Sequence, residues 1–359
     1  MTHDGCTHRR PLDLAKVHHQ RLDVRWRSPL AKALVPDPEF QWLHDIADKA
    51  QPEVRAAFLE AIRRLRGTVK EAELRAAIET GNVREVLRVL DLDKTISEVM
   101  GQALAPPLED AFIEAGRGSI PATLPPSAGG GAGITMRFDL ANPQTSRVLA
   151  NYNFGLIRQI SDDTRAAIQR VVTDAFAFGG HPEEQARQIR ASIGLTDGQA
   201  EAVSNFRTML ETGDRSALDR TLRDRRFDPT LDAALGEDAE KELTPEQINR
   251  MVDRYRERTI NLRAKTIART TTIDISNTAN QAAWGQAADQ GLLDRSKTRQ
   301  GWLVTPDDRL CLNCLEVPLL NPEGVPLGGY FQTPLGPVTG PTLHPNCRCV
   351  TYLIPSSLF

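Results

Sequence analysis

The sequence predicts a mainly α protein: a helical N-terminal domain, a helical middle block with one long helix, and a small α+β C-terminal end cross-linked through Cys and His side chains. Three observations carry this. Aromatic residues make up only 5% of the 359 residues while Ala, Leu and Arg are frequent, a composition that favours helix over sheet. Apolar residues recur at three- and four-residue spacing from Pro38 to Gly116 and again from Phe138 to about Ala288. Four of the five cysteines fall between Gly301 and Pro355, beyond the point where the helical spacing stops.

Length and charge bound the function. At 359 residues with 40% apolar content the chain can form two buried cores. With 44 basic and 47 acidic residues and a net charge of −3, it is no polycation, which disfavours a general DNA-coating role. No apolar stretch reaches the ~18 residues that a membrane-spanning helix needs, so no membrane partner is expected.

Residues 1–36 carry seven basic residues (Arg9, Arg10, Lys16, Arg21, Arg25, Arg27 and Lys32) against three acidic ones, interrupted by Pro11, Pro29 and Pro36. The pattern is that of a solvated basic tail, with weak contact to DNA or an acidic partner as its functional reading. Cys6, His3 and His8 in this tail form no recognisable metal pattern.

The expected helical domain covers 37–116. Phe40, Leu43, His44 and Ala47 share a face, and Pro52 opens a helix bearing Val54, Phe58, Leu59, Ile62 and Leu65 that Gly67 ends. A short helix around Leu74, Ala77 and Ile78 closes at Gly81; Val83 to Leu90 and Ile96 to Ile113 follow. Residues 117–135 are dominated by Pro, Gly, Ser and Ala and predict a linker that divides this domain from 136–359. Gly129-Gly-Gly-Ala-Gly133 lacks the Lys-Ser/Thr and the preceding strand of a phosphate loop.

In the second helical block, 138–213, Ser161 is a candidate cap for a helix through Val171, Val172 and Phe178 that Gly179-Gly180 ends. Pro182 begins the next, with Glu183 and Glu184 in its first turn, and Thr196 or Asp197 caps a third. The arginines from Arg215 to Arg226 alternate with Asp214, Asp219 and Asp224, the pattern of a solvated face or protein contact. Thr244-Pro-Glu-Gln is a capping box that starts the long helix, 245–288. Its second half, Thr270 to Gln281, is rich in Thr, Ser and Asn, poor helix formers whose presence predicts buried hydrogen bonds to the neighbouring Cys/His segment. A catalytic reading of a Thr of this stretch with Asp274 and Ser276 lacks a His or second carboxylate nearby in sequence, so no catalytic residue is assigned.

The last region, 299–355, predicts a strand at Arg299–Thr305, a turn at Asp307-Asp308 and a strand at Val350–Ile354. Cys311 and Cys314, at C-x2-C spacing, point two thiolates to one site, and Cys347 and Cys349 face the same side of an extended segment, after His344. These five side chains are candidate ligands for the four places of a structural zinc. The 29 residues from Leu315 to Leu343 make a long but tolerable closed loop, because loop entropy grows slowly with length. Two disulfides or packed thiols are the alternatives. Disulfides require an oxidising compartment, and polar Met1–Arg10, with no apolar run of about 7–15 residues after it, does not read as a signal peptide. A deaminase-type catalytic zinc is disfavoured: His181-Pro-Glu183 matches H-x-E, but Leu310 precedes Cys311 where that motif has Pro. Arg309 is expected to pair with Asp307 or Asp308 and steady the first cysteine pair.

The run Ile267-Ala-Arg-Thr-Thr-Thr to Gly285, then Trp302 through Asp307-Asp-Arg-Leu-Cys-Leu-Asn-Cys314, then Pro341-Thr-Leu-His-Pro-Asn-Cys-Arg-Cys349, resembles the C-terminal domain of the phage Mu protein F-like minor head proteins of tailed bacteriophages. The resemblance covers about residues 135–355. It departs at Thr271, where members often carry an acidic residue, so no role resting on that acid passes to this position. The resemblance implies a protein of head morphogenesis in the virion head, and in host cytoplasm during assembly. Its implied partners are the portal protein, the major capsid protein or scaffold, with a possible part in DNA packaging or ejection. The alternatives are a toxin-like or hydrolytic enzyme carried on the same domain type, although no recognisable catalytic spacing of His, Asp and Glu precedes Met136, and a zinc-bearing protein-interaction module.

Overall fold

The computed structural model describes residues 41–90, 92–123, 137–178, 181–236, 242–305 and 310–354. The fold is mainly α with one small sheet. Its elements are α1 (Gln41–Thr68), α2 (Glu71–Glu79), α3 (Val83–Leu90), α4 (Leu92–Thr123), α5 (Pro143–Phe178), α6 (Pro182–Ser192), α7 (Asp197–Glu211), two 3-10 turns (Arg215–Asp219 and Arg225–Phe227), α8 (Asp228–Leu235), α9 (Pro245–Asp289), β1 (Arg299–Leu303), α10 (Leu312–Leu320), β2 (Val325–Pro326) and β3 (Val350–Ile354). Among the described residues no helix is long and apolar enough to cross a membrane. The basic tail, Asp307-Asp308, Arg309 and Gly179-Gly180 lie outside the described residues.

Several helices are longer than their local signals suggest. Pro52 does not open a helix; it lies inside α1, because buried Leu43, Ala47, Val54, Phe58, Ile62 and Leu65 keep one helical period across it. Likewise α4 runs past Ile113 to Thr123 and takes in Arg117–Thr123 of the expected linker, whose remaining part lies outside the described residues. Phe112, Ala115 and Ser119 stay buried at helical spacing, and Phe112 meets Phe138 with ring centroids 5.6 Å apart. Ser161 is interior to α5, its hydroxyl donating to the Ile157 carbonyl at 2.8 Å; the cap is Asn142, which accepts from Gln144 N and Thr145 N.

Packing divides the chain into two compact units, each assembled from separate stretches rather than split sequentially. One contains Met1–Val54, Pro106–Tyr152 and Thr266–Phe359; the other contains Arg55–Ala105 and Asn153–Lys265. Helices α1, α4, α5 and α9 contribute residues to both.

The second unit is helical around Leu195, Val203, Phe206, Leu210, Leu231, Val252 and Tyr255, with Phe206 stacked on Tyr255 at 4.5 Å. Pro182 opens α6 with the His181 side chain accepting from Glu183 N, and Thr196 and Gln199 form a reciprocal capping box at α7. Between them Gly194 has φ +97, and a Cβ there would clash with Ile62. A half-buried and a buried arginine hold this corner: Arg66 donates to the Ala191 and Ile193 carbonyls, and Arg263 to the Gly194 carbonyl at 2.9 Å and to Asp163 at 3.0 Å. Two arginines of the Arg215–Arg226 run pair with nearby carboxylates. Arg223 grips Asp228 through two bonds at 2.9 and 3.0 Å, and Arg226 pairs with Asp224, whose pKa the bond lowers to about 2.

The first unit holds the C-terminal end. Thr244 and Gln247 exchange side-chain and backbone bonds at the start of α9, as the capping box predicts, and 45 residues make this helix roughly 65 Å long. It stops at Gly291, with φ +75, where Gly291 N and Leu292 N close on the Ala288 and Ala287 carbonyls. The antiparallel sheet has the order β2-β1-β3, with Gly301 opposite Tyr352 and Trp302 opposite Thr351. Gly301 leaves room for the Tyr352 ring, which any Cβ would strike. Trp302 and Phe331 pack edge to face at 5.3 Å, and with Val304, Val317, Val325 and Leu343 they enclose the cysteines.

Candidate metal centre

Each side of the centre is built by local chain geometry. Cys311 is the residue before α10, and its sulfur accepts from Cys314 N at 3.5 Å, so the first turn of the helix places both sulfurs on one side. On the other side Asn346 takes φ +62, a left-handed conformation that Asn tolerates, and Cys347 N closes a turn on the His344 carbonyl at 3.1 Å. This turn swings Cys347 back beside His344. Its position in His344-Pro-Asn-Cys explains the Asn.

All five expected residues come together. They form two triads that share Cys314: Cys311, Cys314 and His344, and Cys314, Cys347 and Cys349, with the ligand atoms of each triad within 4.8 Å of one another. His344 Nε2 lies 3.2 Å from Cys311 Sγ and 3.1 Å from Cys314 Sγ; Cys314 Sγ lies 3.8 Å from Cys347 Sγ. Two thiolates on one tetrahedral zinc, each about 2.3 Å from the metal, stand about 3.8 Å apart, and a thiolate and an imidazole about 3.5 Å. The Cys314–Cys347 separation matches, and the His344 distances are a few tenths of an ångström short. Among the described residues no disulfide joins Cys314, Cys347 and Cys349.

The electrostatics suit a cation. Burial opposes charge on His344, yet its bond with Cys311 and the thiolate charge at Cys347 raise its pKa to about 9. Bonds from Cys314 and Cys349 pull the Cys347 thiol well below its ordinary value, while bonds among the sulfurs push Cys314 up. One negative sulfur is thus held among protonated neighbours, an arrangement that a divalent metal would replace by displacing the protons. His344 Nδ1 lies 2.9 Å from the Pro345 carbonyl, which fixes Nε2 as the atom facing the sulfurs. Against a lowering bond from Cys314, the bond with Cys347 and burial push the Cys349 thiol well above its ordinary value, with the neighbouring Trp302 indole opposing this in part.

The polar face of α9 supports this centre, as its Thr, Ser and Asn content predicts. Asn277 donates to the Cys349 carbonyl at 3.1 Å and accepts from Thr351 N at 3.0 Å; Asn280 donates to the Thr351 carbonyl. Thr270 accepts from Asn346 N at 2.9 Å, and Asp274 from Thr342 N at 3.0 Å. Asp274 is partly exposed as a residue, but protein surrounds its carboxyl; this burial, with the Cys347 charge, raises its pKa to about 6 against the lowering bonds from Thr342 and Tyr152. Thr271 and Ser276 instead bond back to their own helix, at the Ile267 and Thr272 carbonyls.

Sequence reasoning missed the contribution of α1. Buried His44 lies 3.5 Å from the Thr305 hydroxyl, which donates to the Arg348 carbonyl at 2.7 Å, between the last two cysteines. A polar residue on the apolar face of Leu43 and Ala47 was the available signal. His181 and Glu183 belong to the N-terminal cap of α6, and the imidazole Nδ1 accepts from Glu183 N. No protein-family model, no curated protein and no solved structure matches the chain.

Proposed function

We propose that the chain is a minor head protein of a tailed bacteriophage or prophage, acting in head morphogenesis near the portal, with a structural zinc in its C-terminal end. One observation carries the reading. The three sequence stretches that resemble this family, far apart in the chain, pack as a single unit: the Ala-Arg-Thr helix bonds through Thr270, Asp274, Asn277 and Asn280 to the segment of His344, Cys347 and Cys349, which in turn meets Cys311 and Cys314.

Zinc is the proposed ion because soft thiolates with an imidazole select it and because its tetrahedral preference fits the sulfur spacing. Four places drawn from Cys311, Cys314, His344, Cys347 and Cys349 leave none open for water. The proposed centre is therefore structural and the protein non-enzymatic. The metal would tie the first cysteine pair to the last strand across the loop from Leu315 to Leu343, and its own residues do the rest: Asn346 sets the turn, His344 is aimed by Pro345, and α9 supplies the floor.

The proposed partner is the portal protein, with major capsid protein or scaffold in the same assembly, and the surface proposed for it lies in the helical stretch from Phe138 to Gly213. Any DNA contact would be weak and through the basic residues of 1–36. Co-expression with the cognate portal followed by pull-down of the full chain, together with analysis of purified heads, tests the reading. Recovery with portal and presence in heads are expected; absence from both would remove it.

A further inference from the structure

Helix α10 is apolar on both faces. Its inner face, Cys314, Val317 and Pro318, is buried in the metal-bearing core. Its outer face carries Leu312, Glu316, Leu319 and Leu320 at intervals of four, three and one residue, the spacing of a core-facing stripe, yet Leu312 is 62% exposed and Leu319 and Leu320 are each 50% exposed. Asn321 extends this surface. Its side chain donates to the Gln332 carbonyl at 2.8 Å and accepts from Gln332 N at 3.0 Å, bringing alongside a loop in which Tyr330 is 63% and Leu335 47% exposed. Of the eight large hydrophobic side chains exposed among the described residues, five therefore belong to α10 and the loop bonded to its end. A solvent-facing helix would carry charged side chains there; a stripe of leucines is the mark of a face that another segment covers.

Charge narrows the occupant. From Leu310 to Leu343 the only charged side chains are Glu316 and Glu323, and Glu316 stands in the middle of the leucine stripe. A second copy packed face to face through this stripe would bring two such carboxylates towards one symmetric, desolvated contact, which is unfavourable. The fitting partner is an apolar segment with interleaved cations. Such a segment exists in the chain itself: Leu12 to Val35 contains Leu14, Val17, Leu22, Val24, Trp26 and Leu30 among five basic residues (Lys16, Arg21, Arg25, Arg27 and Lys32) and two acidic ones. In Leu22-Asp-Val-Arg-Trp-Arg27 apolar residues alternate with charged ones, so an extended chain would present leucine, valine and tryptophan on one side.

We propose that the α10 face is a docking surface and that the chain's own Leu12–Val35 segment occupies it, apolar side chains on Leu312, Leu319 and Leu320 and a cation against Glu316. This does not depend on the head-protein reading. Hydrogen exchange with mass-spectrometric detection on the full chain tests it. The expected result is that amides of Leu12–Val35 exchange at least about tenfold more slowly than in an unstructured peptide, and that Leu319→Glu or Glu316→Lys returns them to that rate while α9 stays protected. Trp26→Ser, a change outside the folded units' described cores, is expected to speed exchange in Leu312–Leu320 by a similar factor. Unstructured-peptide rates for Leu12–Val35 in the wild type, or protection unaltered by all three variants, would overturn the proposal. Protection of α10 that rises with protein concentration would assign the face to a second copy and overturn it equally.

Discussion

Asn277 shows how much of the C-terminal end depends on single polar side chains. It is buried in the middle of α9, yet its amide donates to the Ile273 and Cys349 carbonyls and accepts from Thr351 N. An apolar replacement leaves a buried backbone N–H and a carbonyl without partners, each costing about 1–3 kcal/mol. Asn277→Ala is therefore expected to destabilise the C-terminal region by roughly 2–4 kcal/mol in urea unfolding, with Asn277→Asp losing the donations to Ile273 and Cys349 but keeping the acceptor for Thr351 N. Asp274 gives a pH signature. Its folded pKa of about 6 lies above the roughly 3.9 of an unfolded aspartate, so the folded state holds the extra proton between these values. Its contribution to stability is full below about pH 4 and is lost as pH rises through 6. Asp274→Asn keeps an acceptor for Thr342 N without the charge, so its stability relative to wild type should climb from pH 4 to 7. A flat difference would show that the carboxylate is already compensated.

At the scale of elements, caps and corners do the organising. Arg263 is buried against the Gly194 carbonyl and Asp163 where α6 turns into α7, with Phe58 5.7 Å below its guanidinium. Burial lowers its pKa to about 10, still well above neutrality, so it remains charged and must stay paired. Arg263→Ala strands Asp163 and a backbone carbonyl, and a loss of about 3 kcal/mol is expected in thermal unfolding, with Arg263→Lys recovering only part of it because one ammonium cannot make both bonds in the same fork geometry. Much of this scale was legible in the sequence. Thr196, Thr244, Pro182 and Gly81 mark helix ends through local chemistry, and that chemistry acts in the folded chain as it reads. What was not legible depends on packing at a distance. Pro52 resembles a helix start until buried residues on both sides hold the helix together, and Arg117–Thr123 a linker until buried Phe112, Ala115 and Ser119 carry the helix into it. The five metal-ligand candidates were legible because C-x2-C and His-Pro-Asn-Cys-Arg-Cys are local patterns; His44 and Thr305 were not, since they reach Arg348 only through the fold.

For the whole molecule, the Cys/His cluster is the central feature. Cysteines from the α10 knuckle and from the segment leading into the last strand meet there, and the polar face of α9 bonds to that segment. Because the thiols and the raised His344 must give up protons to bind metal, occupancy should fall as pH drops. The two triads sharing Cys314 also make a ranking testable: Cys314→Ser should abolish binding, whereas His344→Ala and Cys347→Ser separate a site of three cysteines and one histidine from an all-cysteine one, according to which variant retains the metal. The most direct measurement is native mass spectrometry of the freshly purified, reduced full-length chain with parallel metal analysis. The account predicts about one zinc per chain, lost in Cys314→Ser together with protection of Val350–Ile354; a metal-free mass for the wild-type protein at neutral pH with zinc supplied would contradict it.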